Sequence, residues 1–170
     1  FNNHAFDIEV LNKKSTTRNF DITALSCATY PKVSNLYGIT SCGASIGNGY
    51  GPKLVSSVPK NISDLSGANV AIPGMGTTAT CAFKLRLGNV PVNLVEVPFD
   101  EIGGLCLSNK VDAGIVIHEE QLTYESNGLY LIEDLGKWWK EEYEKMIQNL
   151  HNIDLTKVVE MDDNTNLAGE

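Results

Sequence analysis

One histidine of the three in this chain stands out. His118 closes the apolar run Val111-Asp112-Ala113-Gly114-Ile115-Val116-Ile117 and is followed by Glu119, so a strand delivers it to its end. Side chains leaving a sheet at that edge face the ligand crevice of α/β proteins. A neutral imidazole oriented by Glu119 or by a backbone group can act as a general base near neutral pH. The structural alternative is a strand-end histidine hydrogen-bonded to a backbone carbonyl. Gly74-Met75-Gly76-Thr77-Thr78-Ala79 offers a different chemistry. It reads as a strand-to-helix turn with two hydroxyls at the helix start, where free N–H groups and the helix dipole favour a carboxylate or phosphate. Thr77 could equally do no more than cap its own helix. The turn has neither the lysine of a P-loop nor the glycine spacing of a dinucleotide fingerprint. Ser26 could present a third hydroxyl to the same crevice, or could simply form a turn. No serine sits in a Gly-x-Ser-x-Gly elbow, which leaves a hydrolase triad with little support.

The elements that must position these residues follow from periodicity. Phe6 to Asn12 reads as a short helix, with Phe6, Val10 and Leu11 as its apolar positions. Phe20 to Ser26 reads as a strand ending at Ser26, and Lys53 to Ser57 as another. Gly47 to Pro52 either lets a ligand approach the backbone or serves as a crossing segment that needs positive φ. Asn61 to Gly67 is a turn or short helix closed by glycine. Asn69 to Ile72 is a strand, and Ala79, Ala82, Phe83 and Leu87 then share one helical face that ends at Gly88. Val92 to Val97 is the next strand, and Phe99, Ile102, Leu105 and Cys106 mark a further helix despite Gly103-Gly104. This strand-helix alternation implies an α/β layer with a largely parallel sheet. Trp139, Tyr143, Met146, Ile147 and Leu150 form one face of an amphipathic helix, with Trp139 assigned to the core. A polar tail runs from Met161 to Glu170.

Bulk properties exclude several functions. A hydrophobic content of 42% and a charged content of 20% over 170 residues describe a soluble globular chain. A net charge of -8, with no basic stripe, argues against nucleic acid as a partner. No apolar run is long enough to span a membrane. Cys27, Cys42, Cys81 and Cys106 contain no CxxC and no histidine close by, so metal and thioredoxin-like readings fail. Their small or apolar neighbours favour buried free thiols in a reducing compartment such as the cytoplasm. The chain opens on Phe1 with neither an initiator methionine nor a signal-peptide pattern.

Several motifs occur together in a familiar order. They are Asp21-Ile22-Thr23-Ala24-Leu25-Ser26, Gly43 to Pro52, Ala71-Ile72-Pro73-Gly74 with Thr77-Thr78-Ala79, and Phe99-Asp100-Glu101-Ile102. Val111-Asp112-Ala113-Gly114, Ile117-His118-Glu119, Leu122-Thr123-Tyr124, Gly128-Leu129 and Asp134-Leu135-Gly136-Lys137-Trp138-Trp139 follow. Over residues 5–140 the chain resembles the 1,4-dihydroxy-6-naphthoate synthase family of the futalosine route to menaquinone. The resemblance implies a two-lobed α/β fold similar to type 2 periplasmic binding proteins, with mixed sheets and the ligand between the lobes. It implies conversion of cyclic dehypoxanthinylfutalosine to 1,4-dihydroxy-6-naphthoate, a carbon-skeleton lyase step that needs no metal or organic cofactor. It makes His118 the catalytic base, and Ser26, Thr77 and Thr78 the groups that hold a small carboxylated substrate.

Departures from the family pattern shape the expected organisation. The family opens with a strand and a Ser-Pro-Cys-Pro-Asn-Asp-Thr-Phe segment, to which nothing here corresponds. Ala24 stands where the family often has lysine, Asn48 where it has arginine, and Tyr50 where it has a small residue. The expected layout is a reduced first lobe over 1–65, a complete second lobe over 66–136, and a helix with a polar tail over 137–170. Such a chain would be a fragment, a partner of another chain, or a diverged relative, and self-association into a homo-oligomer stays open. Two rivals to the enzyme follow: a degenerate homologue that binds its carboxylated ligand without turnover, and a solute-binding module.

Overall fold

A computed structural model describes residues 2–45, 47 and 50–151. Its central element is a sheet of short strands, of which the inner three are buried on both faces. The strands are β1 (Lys53–Ser56), β2 (Asn69–Ile72), β3 (Asn93–Glu96), β4 (Ala113–Val116) and β5 (Tyr130–Asp134). They lie in the order β3-β2-β4-β1-β5. The helices are α1 (Ile8–Ser15), α2 (Tyr30–Val33), α3 (Thr78–Leu87), α4 (Ile102–Leu107), α5 (Glu120–Thr123) and α6 (Leu135–His151). One-turn 3-10 helices occur at Ile62–Leu65 and Phe99–Glu101.

The two-residue period of the strands divides the core between the two faces of the sheet. Leu54, Val70, Ile72, Ala113 and Ile115 point to one face, where Ala79, Phe83 and Leu87 of α3 cover them. Val55, Ala71 and Val116 point to the other, against Ile102 and Cys106 of α4. Phe83 is fully buried, a contribution of about 1.5–3 kcal/mol from its apolar surface. Gly114 lets α4 sit directly on β4, since a Cβ there would lie 2.4 Å from Ile102 Cγ2.

The run from β2 to β4 has the expected helical crossovers, and β2 pairs in parallel with both β3 and β4. The sheet is mixed rather than largely parallel, because β1 inserts antiparallel between β4 and β5. Thus β1, which comes from the stretch assigned to the first lobe, lies in the same sheet as the strands assigned to the second. Lys53 at the start of β1 pairs with Asp134 at 2.5 Å. Burial alone would raise Asp134, but the Lys53 ammonium and the Lys137 N–H hold its carboxyl below the ordinary value. Just before β1, Gly51 packs backbone to backbone on Gly136, and a Cβ at Gly51 would lie 2.7 Å from the Gly136 Cα. Among the alternatives for the 47–52 segment, Gly51 therefore serves a close crossing.

Other expectations are corrected as well. Phe20 to Ser26 is not a strand: the Ser26 N–H donates to Asn12 Oδ1, and the Phe20 carbonyl accepts from the Tyr37 hydroxyl. Side chains satisfy these backbone groups, which removes the need for a neighbouring strand. Helix α1 starts at Ile8 rather than Phe6 and buries Glu9, Asn12 and Ser15, while Val10 and the preceding Phe6 are exposed and Leu11 is half-buried. Cys106 is buried, but Cys27, Cys42 and Cys81 are exposed free thiols, because small neighbours in sequence do not fix a position inside the core.

Among the described residues, those up to Trp138 form one compact unit and those from Trp139 to His151 a second. Within the second, Trp139, Tyr143 and Met146 of α6 are exposed, so Trp139 is not the core residue expected. Asn48 and the polar tail over 161–170 lie outside the described residues. Among the described residues, no helix is long and apolar enough to cross a membrane.

Candidate functional site

The parallel pairing of β2 with β4 determines where the candidate residues emerge. Val70 pairs with Ala113 and Ala71 with Gly114, so both strands run out at the same carboxyl edge. β2 ends there in the Gly74–Thr78 turn, and β4 ends there in Ile117-His118. β3 ends at this edge too, and its continuation carries Phe99.

The turn binds carboxylates, but they belong to the chain itself. The Gly76 N–H donates to both carboxylate oxygens of Glu9, at 3.0 and 3.2 Å, and the Met75 N–H donates to Glu96 at 3.1 Å. Lys13 forms an ion pair with Glu96, which holds that carboxyl below its ordinary value, and its ammonium lies 3.9 Å from Glu9. The glycines make this possible. Gly74 has φ +147°, and a Cβ on it would lie 2.3 Å from Glu9 Cγ. The expected anion seat at Met75 and Gly76 is thus already filled from α1 and β3.

Thr77 is buried and caps α3. Its hydroxyl donates to the Gly74 carbonyl at 2.8 Å and accepts from the Thr80 N–H at 3.2 Å. Thr78 is exposed, and its hydroxyl accepts from the Ala28 N–H at 3.3 Å, which leaves its own proton for another acceptor. Ser26 is half-buried and joins the same network through Asn12. Asn12 Nδ2 donates to Ser26 Oγ at 2.9 Å and to Glu9 Oε2 at 3.2 Å, while Asn12 Oδ1 accepts from the Ser26 N–H at 2.9 Å. Thr29 closes the cluster by donating to the Gly76 carbonyl at 2.7 Å. Ser26 is therefore tied through Asn12 and Glu9 to the Gly76 peptide, while Thr77 bonds within its own turn and Thr78 to the Ala28 N–H.

His118 stands at the same edge and, among the described residues, shares no hydrogen bond with these groups. It is exposed and left-handed, with φ +55°, a conformation uncommon for residues other than glycine. Such backbone positions cluster at functional sites. Its ring meets Phe99 edge-on at 4.7 Å between centroids. Among the described residues, neither Glu119 nor a backbone carbonyl is its hydrogen-bond partner. Glu120 lies two residues on, and burial raises its carboxyl, with the Gly103 N–H opposing and Asp100 adding to the rise.

Sequence reading missed Glu9, Asn12 and Phe99. The available signal was the i, i+3 spacing of Glu9 and Asn12 on a helix whose polar side turns inward. Ala24 lines an open cavity of about 270 Å³ with His4, Leu11, Phe20 and Ile22. Among the described residues, no three His, Cys, Asp or Glu side chains converge as a metal ion would require.

Residues 1–147 match the family model described as menaquinone biosynthesis. The chain belongs to this family. It is 38% identical over 136 residues to the 1,4-dihydroxy-6-naphthoate synthase of Thermus thermophilus, covering 79% of this chain and 48% of the relative. It is 34% identical over 138 residues to the enzyme of that name in Streptomyces coelicolor, with the same coverage of 79% and 48%. A crystal structure of an Archaeoglobus fulgidus protein superposes with a TM-score of 0.74 at 42% identity, covering 81% of this chain and 50% of that one. This member of the family thus spans about half the length of the curated relatives it matches.

Proposed function

We propose that this chain supplies the catalytic edge of a 1,4-dihydroxy-6-naphthoate synthase, a cytoplasmic, cofactor-independent lyase of menaquinone biosynthesis that acts on cyclic dehypoxanthinylfutalosine. The observation that carries the reading is the parallel β2–β4 pair, whose two carboxyl ends are the Thr77-Thr78 turn and His118. His118 acts as general base from an exposed strand end, with Phe99 limiting the orientation of its ring. Ser26 and Thr78 each accept one hydrogen bond from the protein, so each keeps a proton to donate to a substrate carboxylate. Thr77 serves the site by fixing the start of α3, which sets the position of Thr78.

The test incubates the chain and its His118→Ala variant with cyclic dehypoxanthinylfutalosine and follows the naphthoate product chromatographically. Product from the parent and its loss in the variant are expected. Product unaffected by His118→Ala removes His118 as base, and no product from the parent removes the lyase reading. A second reading is a binder without turnover. Ala24 favours it, since the absence of a cation there weakens the hold on an anionic substrate. Tight naphthoate binding without product identifies it.

A further inference from the structure

We infer that Asn12, held in one orientation by Glu9, fixes the Ser26 hydroxyl as an outward hydrogen-bond donor and so makes the site select a ligand carboxylate over a neutral carboxamide. The inference rests on Ser26 being a substrate-holding residue. Asn12 is 2% exposed, and its amide is surrounded by partners that permit one orientation. Nδ2 faces the Glu9 carboxylate and Ser26 Oγ, while Oδ1 receives the Ser26 N–H. Turning the amide over would set Oδ1 against the carboxylate and an NH2 against an N–H, two mismatches in a buried place.

Glu9 is itself anchored. Its oxygens share the Gly76 N–H, and both Gly74 and Gly76 lack the Cβ that would strike it. A chain of fixed directions thus runs from the Gly76 peptide through Glu9 and Asn12 to Ser26. At its end, Ser26 Oγ accepts from Asn12, and among the described residues no protein acceptor takes its proton. A carboxylate, which only accepts, fits that proton, and the bond is charge-assisted. A carboxamide loses the charge and brings two donors of its own. Glu9 and Asn12 are positioning residues in this scheme, since neither need touch the ligand.

The test uses the full chain under anaerobic conditions, with fluorescence titration of 1,4-dihydroxy-6-naphthoate and of its carboxamide. Each variant is read as the ratio of the two affinities, so a lowered folded fraction affects both ligands alike. Asn12→Asp replaces the donor with an acceptor that draws the Ser26 proton inward, and the carboxylate preference should fall about tenfold. Glu9→Gln keeps the shape, releases the orientation of Asn12, and should lower the preference in the same direction. It also carries the test if Asn12→Asp, which sets a second carboxylate beside Glu9, does not fold. Ser26→Ala should lower the preference as Asn12→Asp does, and combining the two should add nothing. An unchanged ratio in Asn12→Asp and Glu9→Gln, with a loss in Ser26→Ala, overturns the inference and leaves Ser26 as a ligand residue. An unchanged ratio in Ser26→Ala, or no binding of either ligand by the parent, overturns both.

Discussion

Gly114→Ala tests the packing that carries β4 toward His118. The added Cβ would lie 2.4 Å from Ile102 Cγ2 and 2.9 Å from Cys106 Sγ, and both residues are fully buried. Carbon atoms pack at about 3.5–4.0 Å, so α4 must retreat by about 1 Å or Ile102 must leave its rotamer. Overpacking of this kind costs about 1–3 kcal/mol, and the depth of the overlap puts this case near the top of that range. With a urea slope of about 1–3 kcal/mol per molar, the unfolding midpoint should fall by roughly 1–3 M. Ile102→Ala removes the offending Cγ2 and alone should cost about 2–5 kcal/mol through its cavity. In the double variant each change relieves the other, so the combined loss should fall short of the sum by at least about 1 kcal/mol. Urea melts of the four proteins, followed by circular dichroism, measure the coupling. Additive losses, or an unmoved midpoint in Gly114→Ala, refute the contact.

Other perturbations separate structural from functional groups. Thr77→Val removes a buried cap and should cost about 1–2 kcal/mol in a urea melt. Thr78→Val should shift stability by less than about 0.5 kcal/mol but weaken naphthoate binding in a fluorescence titration. Glu120 has its folded pKa raised above the ordinary 4.5, so its contribution to stability is full below that value and declines as pH rises through the folded pKa. Glu120→Gln should therefore raise the melting temperature at pH 7, with the gain gone at pH 3.5. Burial pushes the Cys106 thiol up to about 12, so a thiol reagent at pH 8 should label Cys27, Cys42 and Cys81 quickly and Cys106 only on unfolding. Four fast thiols in the native chain would contradict the burial of α4.

The sequence was most informative where structure is local. β2, α3 and the Thr77 cap follow from an apolar run, a turn and a 3.6-residue face that lie beside one another along the chain. The strand behind His118 was legible for the same reason. Pairing between distant segments was not. An alternating stretch such as Phe20 to Ser26 looks the same whether its backbone bonds to a strand or to an asparagine side chain. The inward face of α1 was misread because Glu9 and Asn12 are buried by partners over sixty residues away in one case and fourteen in the other. Apolar content predicts burial only when polar groups have nowhere better to bond. The site was accordingly visible as hydroxyls and a histidine, while the groups that orient Ser26 were not.

The place of β1 in the sheet carries a consequence for the order in which the chain can fold. Its partners β4 and β5 are made long after it, with Lys53 matched to Val116 and to Asp134. β2, β3 and β4 are joined by short helical connections, so they can associate while β1 is still waiting for its place. Until β5 emerges, β1 has only one of its two neighbours, and Leu54 and Val55 have no complete core to enter. The β4–β1–β5 side of the sheet is thus its last part to close. Pulse-labelled hydrogen exchange during refolding should show β2 amides protected before those of β1, and the reverse order would exclude this sequence of events.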